Sequence, residues 1–154
     1  MSPKLRKRIA VEMELLRRLL SRHPELIEKC RREDPSHIEI DALATILHSF
    51  YGGVENLFKI IVNDLDDGLP NVPTWHTVLL ARVTQPTESR PAVISEALAA
   101  TLKDYLDFRH VFRHAYAFEL QWSRMAHLVW DVEETFRRLE EEVARFLARL
   151  PKEE

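Results

Sequence analysis

The stretch Ser36–Leu65, SHIEIDALATILHSFYGGVENLFKIIVNDL, decides the fold. Ser36 and Glu39 have the spacing of a capping box, in which the serine hydroxyl accepts from the third backbone amide and the glutamate reaches back to the serine amide. A long helix starts there. Ile38, Leu43, Ile46, Leu47, Phe50, Val54, Leu57, Phe58, Ile61 and Leu65 recur at helical spacing and cover a face broader than a single neighbour needs. Such a helix is expected at the centre of a bundle. Gly52 and Gly53 fall in its interior, where each costs up to about 1 kcal/mol relative to alanine, so something must gain from their missing side chains. Close helix packing is the default; backbone approach to a ligand is the alternative.

On the N-terminal side, Ser2 and Pro3 fit an N-cap and first helical position, and Ile9, Met13, Leu16 and Leu20 keep a one-sided apolar pattern. A helix is expected from Pro3 to Arg22. Its other face carries Lys4, Arg6, Lys7, Arg8, Arg17 and Arg18, either a solvated face or the source of a basic patch. Pro24 suits the first turn of a continuation through Arg32, with a bend at the junction. On the C-terminal side, DDGLPNVP from Asp66 to Pro73 is a loop, and Thr74 can cap a short helix through Val83. Pro86 to Pro91 breaks the chain again before Ser95 caps another helix. A weak pattern from Trp122 to Trp130 then precedes a restart at Asp131, with Glu134 in capping-box spacing. Val132, Phe136, Leu139, Val143, Phe146 and Leu150 mark the last amphipathic helix, stopped by Pro151. No alternation of strand type appears, so the fold class is an all-α helical bundle with short accessory helices.

A chain of 154 residues, 45% hydrophobic with three glycines, suffices for one domain, 1–154, with its own core. The N-terminus carries cations but no apolar segment of signal-peptide type, and no apolar run approaches membrane-spanning length. A cytoplasmic protein is expected. Cys30 is the only cysteine, which excludes an internal disulfide and a cysteine-rich zinc site. The net charge of −3 excludes wholesale phosphate neutralisation, so any contact with RNA must come from a local patch.

YLDFRHVFRHAYAF, from Tyr105 to Phe118, carries the chemistry. Leu98, Leu102, Tyr105, Phe112 and Tyr116 read as one helical stripe, and Arg109 falls within it. A guanidinium stays protonated, and taking it out of water unpaired costs several kcal/mol, so Arg109 needs a partner or an anionic ligand. With His114 and Tyr116 close behind, a permanent cation, a group that titrates near neutrality and a phenol suit a phosphate ester. A neutral imidazole can take a proton from a 2′-hydroxyl or give one to the leaving oxygen, while a guanidinium binds the phosphate, without metal or other cofactor. Five residues turn an ideal helix by about 140° net, so Arg109 and His114 do not share a face. Either the helix ends near His114 or the groups converge across a dimer seam. His110 and His114, four apart, offer a metal-binding alternative that lacks a third ligand. His23, His37, His48, His76 and His127 read as surface or hydrogen-bonded residues, with His48, near the glycine pair, the one of interest. Trp75, Trp122 and Trp130 read as core or interface.

The block RHVFRHAY, Arg109 to Tyr116, resembles the R-x4-H-x-Y signature of HepT-like toxins of the HEPN superfamily. HSFYGGVENLFK (48–59), LPNVPTWHTVLL (69–80) and the segment from Arg90 to Leu120 also resemble blocks of these proteins, so the likeness covers most of the chain after Ile38. It implies an antiparallel up-and-down bundle that dimerises, with two copies of the motif facing a cleft where RNA is cut, as in type VII-like toxin–antitoxin systems. Arg109 and His114 carry over as the catalytic pair, with His110 and Arg113 as accessory or RNA-binding groups. The implied partner is a minimal nucleotidyltransferase antitoxin that transfers AMP from ATP to the motif tyrosine, here Tyr116, setting phosphate charge beside Arg109. The alternative is an inactive helical adaptor that binds a nucleotidyltransferase or nucleotide through the same residues.

Overall fold

The computed structural model describes residues 3–152. Six α-helices and one 3-10 turn follow in order: α1 (Leu5–Ser21), α2 (Pro24–Lys29), α3 (His37–Leu65), α4 (Trp75–Arg82), α5 (Glu96–His114), the 3-10 turn (Ala117–Glu119) and α6 (Trp122–Arg149). The only extended pairing among the described residues is an isolated bridge between Thr87 and Arg90. The chain is thus an all-α bundle.

Helix α3 is the central element, packing on α1, α4, α5 and α6. The capping box that starts it is complete: the Glu39 amide donates to Ser36 Oγ at 3.2 Å, and the Ser36 amide donates to Glu39 Oε1 at 3.0 Å. Phe50, Tyr51, Val54, Leu57, Phe58, Ile61 and Val62 are all buried along it, and each large side chain so removed from water contributes roughly 1.5–3 kcal/mol. Phe50 meets the edge of Tyr105 on α5, with ring centroids 5.2 Å apart. The Tyr105 hydroxyl donates to the Leu128 carbonyl of α6 at 2.8 Å, and burial holds this phenol above its ordinary pKa. One polar bond in the core thereby fixes the register of α5 on α6.

Several boundaries differ from expectation. Ile38 is 82% exposed, because it falls on the solvent-facing side of α3 with Asp41 and Thr45, whereas Ile40 is buried. The expected Ser2 cap lies outside the described residues, and α1 opens at Leu5 rather than Pro3. At His23 the backbone leaves helical space (φ −135°, ψ 54°), so α1 and α2 are separate helices rather than one bent one. Pro24 is the cause, since proline disfavours the helical conformation in the residue before it. Helix α2 ends at Lys29, three residues short of Arg32. Thr74 stands at the N-cap of α4 without a side-chain capping bond, whereas Ser95 caps α5 by accepting from the Leu98 amide at 3.1 Å. Helix α6 runs unbroken from Trp122 and does not restart at Asp131. Tyr116 lies beyond the end of α5 and so leaves the stripe to which its spacing assigned it.

The two glycines of α3 serve different ends. A Cβ on Gly53 would come within 2.5 Å of Leu16 Cδ2, so this glycine lets α1 and α3 approach closely. A Cβ on Gly52 would meet nothing within 4 Å. Its missing side chain leaves space on the surface instead.

Much of the expected basic face of α1 is engaged within the chain. Arg6 donates to the Leu147 carbonyl at the end of α6 at 2.9 Å, Arg17 pairs with Glu14 and Glu140, and Arg18 with Glu14. The connection from α4 to α5 is held by Arg90, whose side chain is fully buried. Its Nε and Nη2 donate to the two carboxylate oxygens of Asp66 at 2.8 and 2.9 Å. Nη1 donates to the Gln85 and Pro91 carbonyls at 2.9 and 3.1 Å. At the α2 corner, the Trp130 indole donates to the Cys30 carbonyl at 2.9 Å, and burial pushes the Cys30 thiol up from its ordinary pKa.

Candidate functional site: a cationic cleft beside the motif helix

A cleft of about 800 Å³ opens between α1, α3, α4 and α5. From the central helix it takes His48, Gly52, Glu55 and Lys59, whose steps of four, three and four place them in one stripe along the helix. Trp75 and His76, the first two residues of α4, form one wall, and Arg109 and Arg113 project from α5 one turn apart. Gly52 keeps the floor open.

Arg109 has the partner that its place in the stripe demands. Its Nη1 donates to Glu55 Oε1 at 3.2 Å, and the other oxygen of that carboxylate lies 2.7 Å from His76 Nδ1. Arg109 Nη1 itself stands 3.4 Å from His76 Nδ1. The Glu55 side chain is 5% exposed against 18% for Arg109, so the carboxylate is buried and the guanidinium reaches the cleft. The pairing is incomplete: Arg109 Nε is buried with no hydrogen-bond partner, an unmet donor of the kind an anion satisfies.

His48 stands across from these cations. Its Nδ1 is also buried without a partner, and its ring lies against Phe112 with centroids 4.8 Å apart. Burial first, then the Arg109 and Arg113 charges, push its pKa below the ordinary imidazole value. The cleft therefore presents guanidinium groups, a neutral imidazole and Lys59, whose ammonium lies 5.0 Å from the Trp75 ring centroid. An anionic group with a sugar or base attached fits this chemistry.

The motif is divided between two surfaces. Arg109 and Arg113 belong to the cleft; His110 and His114 are exposed on another face of α5, their rings 4.7 Å apart. His114 is the last residue of the helix, as the first of the two options from its spacing requires. Within one protomer the helix end does not bring it into the Arg109 cleft. Tyr116 is 71% exposed and stacks on Phe118, itself 84% exposed, with centroids 5.4 Å apart. No group of three His, Cys, Asp or Glu side chains that could hold a metal ion exists among the described residues, so the His110–His114 pair gains no third ligand there.

Sequence reasoning missed Glu55, His76, Lys59 and Trp75. The available signal was Glu55, since a carboxylate set between Val54, Leu57 and Phe58 in the apolar face of α3 needs a partner.

The profile of a family described as HepT-like protein matches residues 42–150. No curated protein and no solved structure matches the chain. No helix among the described residues is long and apolar enough to cross a membrane. The matched span runs from the first turns of α3 to the end of α6 and contains every residue of the cleft except those of α1, and the chain belongs to the HepT-like proteins of the HEPN superfamily.

Proposed function

We propose that the chain is a single-domain, cytoplasmic, metal-independent endoribonuclease toxin that acts as a homodimer. The observation that carries this reading is the unmet donor of Arg109, buried at a cleft that Arg113 and Lys59 also line, in a chain of the HepT-like family. The guanidinium groups grip the phosphate of an RNA strand, and His114, exposed at the end of α5, moves a proton at the ribose or the leaving oxygen. Because His114 points away from the cleft of its own protomer, it serves the cleft of the second copy across the dimer seam. Tyr116, exposed just past the helix end, accepts AMP from a nucleotidyltransferase antitoxin. The added phosphate then competes with RNA for the cations.

RNA incubated with purified protein in excess chelator is cleaved by wild type, and cleavage falls by 100-fold or more, on the order expected for loss of a general acid–base or an oxyanion donor, in His114→Ala and Arg109→Ala. Equal cleavage by all three proteins overturns the assignment. Intact mass of the chain co-expressed with a candidate antitoxin, set against Tyr116→Phe, reads the AMP addition directly. The adaptor reading has one observation in its favour, the Glu55 carboxylate that offsets the Arg109 charge. It predicts partner binding with no RNA cleavage.

A further inference from the structure

The imidazole in contact with Arg109 comes from outside the motif. His76 Nδ1 lies 2.7 Å from Glu55 Oε2 and 3.4 Å from Arg109 Nη1. Nδ1 cannot donate to the carboxylate and accept from the guanidinium at once. The carboxylate is nearer, and ionised it can only accept, so the proton is assigned to Nδ1 and the lone pair to Nε2. Nε2 makes no hydrogen bond among the described residues and is not sealed from solvent. The His76 side chain is 25% exposed on the cleft wall, and its ring stacks on Trp75 with centroids 3.7 Å apart. A buried carboxylate thus fixes the tautomer and orientation of an imidazole whose free nitrogen is basic and open to solvent, beside a guanidinium with an unmet donor.

We propose that His76 is the proton-accepting imidazole for the RNA strand held in this cleft, with Glu55 as its positioning residue; the inference rests on the ribonuclease reading above. Metal-free cleavage of RNA moves two protons, one off the 2′-hydroxyl and one onto the leaving oxygen. The motif supplies His114 for one of them and leaves the other unassigned. His76 Nε2 takes the 2′-hydroxyl proton as O2′ bonds to the adjacent phosphorus. The P–O5′ bond breaks, its electron pair leaves on O5′, and that oxygen takes a proton from His114. The products are a 2′,3′-cyclic phosphate and a 5′-hydroxyl end. Arg109 holds a non-bridging oxygen, and the charged groups that line the cleft with His76 are Glu12 from α1, Glu55 and Lys59 from α3, and Arg109 and Arg113 from α5.

The decisive variant is His76→Asn, whose side-chain amide can still donate to Glu55 and so preserves the ion network. If His76 carries the proton, the cleavage rate of a fluorescent single-stranded RNA falls by roughly 100-fold, and the acidic limb of the pH–rate profile disappears. The melting temperature and the affinity for an uncleavable 2′-deoxy analogue stay near wild type. Free imidazole restores part of the rate in His76→Ala. Glu55→Gln, acting through His76, loses about tenfold in rate without weakening binding of the analogue. Wild-type rates in His76→Asn alongside a dead His114→Ala overturn the role of His76 and leave the ribonuclease reading standing. No cleavage by wild type in excess chelator overturns both.

Discussion

Arg90 and Arg109 are two arginines taken out of bulk water by the same bundle, and they are treated in opposite ways. Arg90 meets a carboxylate with both ends of its fork and fills its remaining donors with loop carbonyls, so nothing is left over for a ligand. Arg109 shares one oxygen of a carboxylate that also serves His76, keeps a buried Nε with no partner, and lines the cleft with the rest of its side chain. The first geometry is that of a fastener, the second that of a receptor. A buried cation is informative about function only after its hydrogen bonds are accounted for.

The contrast predicts a split between stability and activity. Arg90→Ala strands a buried Asp66 carboxylate and is expected to cost about 3–5 kcal/mol in denaturant unfolding. Arg109→Ala leaves Glu55 bonded to His76 and is expected to cost no more than about 2 kcal/mol, while abolishing RNA cleavage. Equal destabilisation by the two substitutions would erase the distinction. The glycine pair sharpens it at smaller scale. Gly53→Ala drives a methyl into Leu16 and is expected to destabilise by about 1 kcal/mol after its gain in helix propensity. Gly52→Ala has room and should stabilise by up to about 1 kcal/mol, yet it narrows the cleft floor and weakens RNA binding.

The smallest effect concerns pH. His48 has a folded pKa below its ordinary value of 6.5, so the unfolded chain binds the proton more readily. Stability is then full above about pH 6.5 and declines as the solution is acidified below it. His48→Phe should flatten that decline in unfolding curves recorded between pH 7 and pH 5; an unchanged slope would show that neither burial nor the neighbouring cations hold the His48 pKa down.

The elements legible in the sequence were those governed by local chemistry. The Ser36–Glu39 box and the apolar face of α3 are set within a few residues, and both appear in the structure. The false restart at Asp131 shows the limit of such signals. Capping-box spacing is also the spacing of charges on the exposed side of a running helix, where Glu134 pairs with Arg137. In the same way, the need of Arg109 for a partner was legible from its place in an apolar stripe, but the partner was not. Glu55 lies 54 residues away on a different helix, and only tertiary packing brings α3 against α5. The division of the motif had a visible cause in the helical turn between Arg109 and His114. The cleft that receives one half of it did not.

The lone cysteine gives the bundle a built-in chemical clock. Cys30 is 3% exposed at the corner where the Trp130 indole clasps its carbonyl. A thiol reagent can reach so buried a side chain only when the corner opens locally. Under conditions where the rest of the chain stays folded, the labelling rate of wild type against Trp130→Phe reports how often that corner opens.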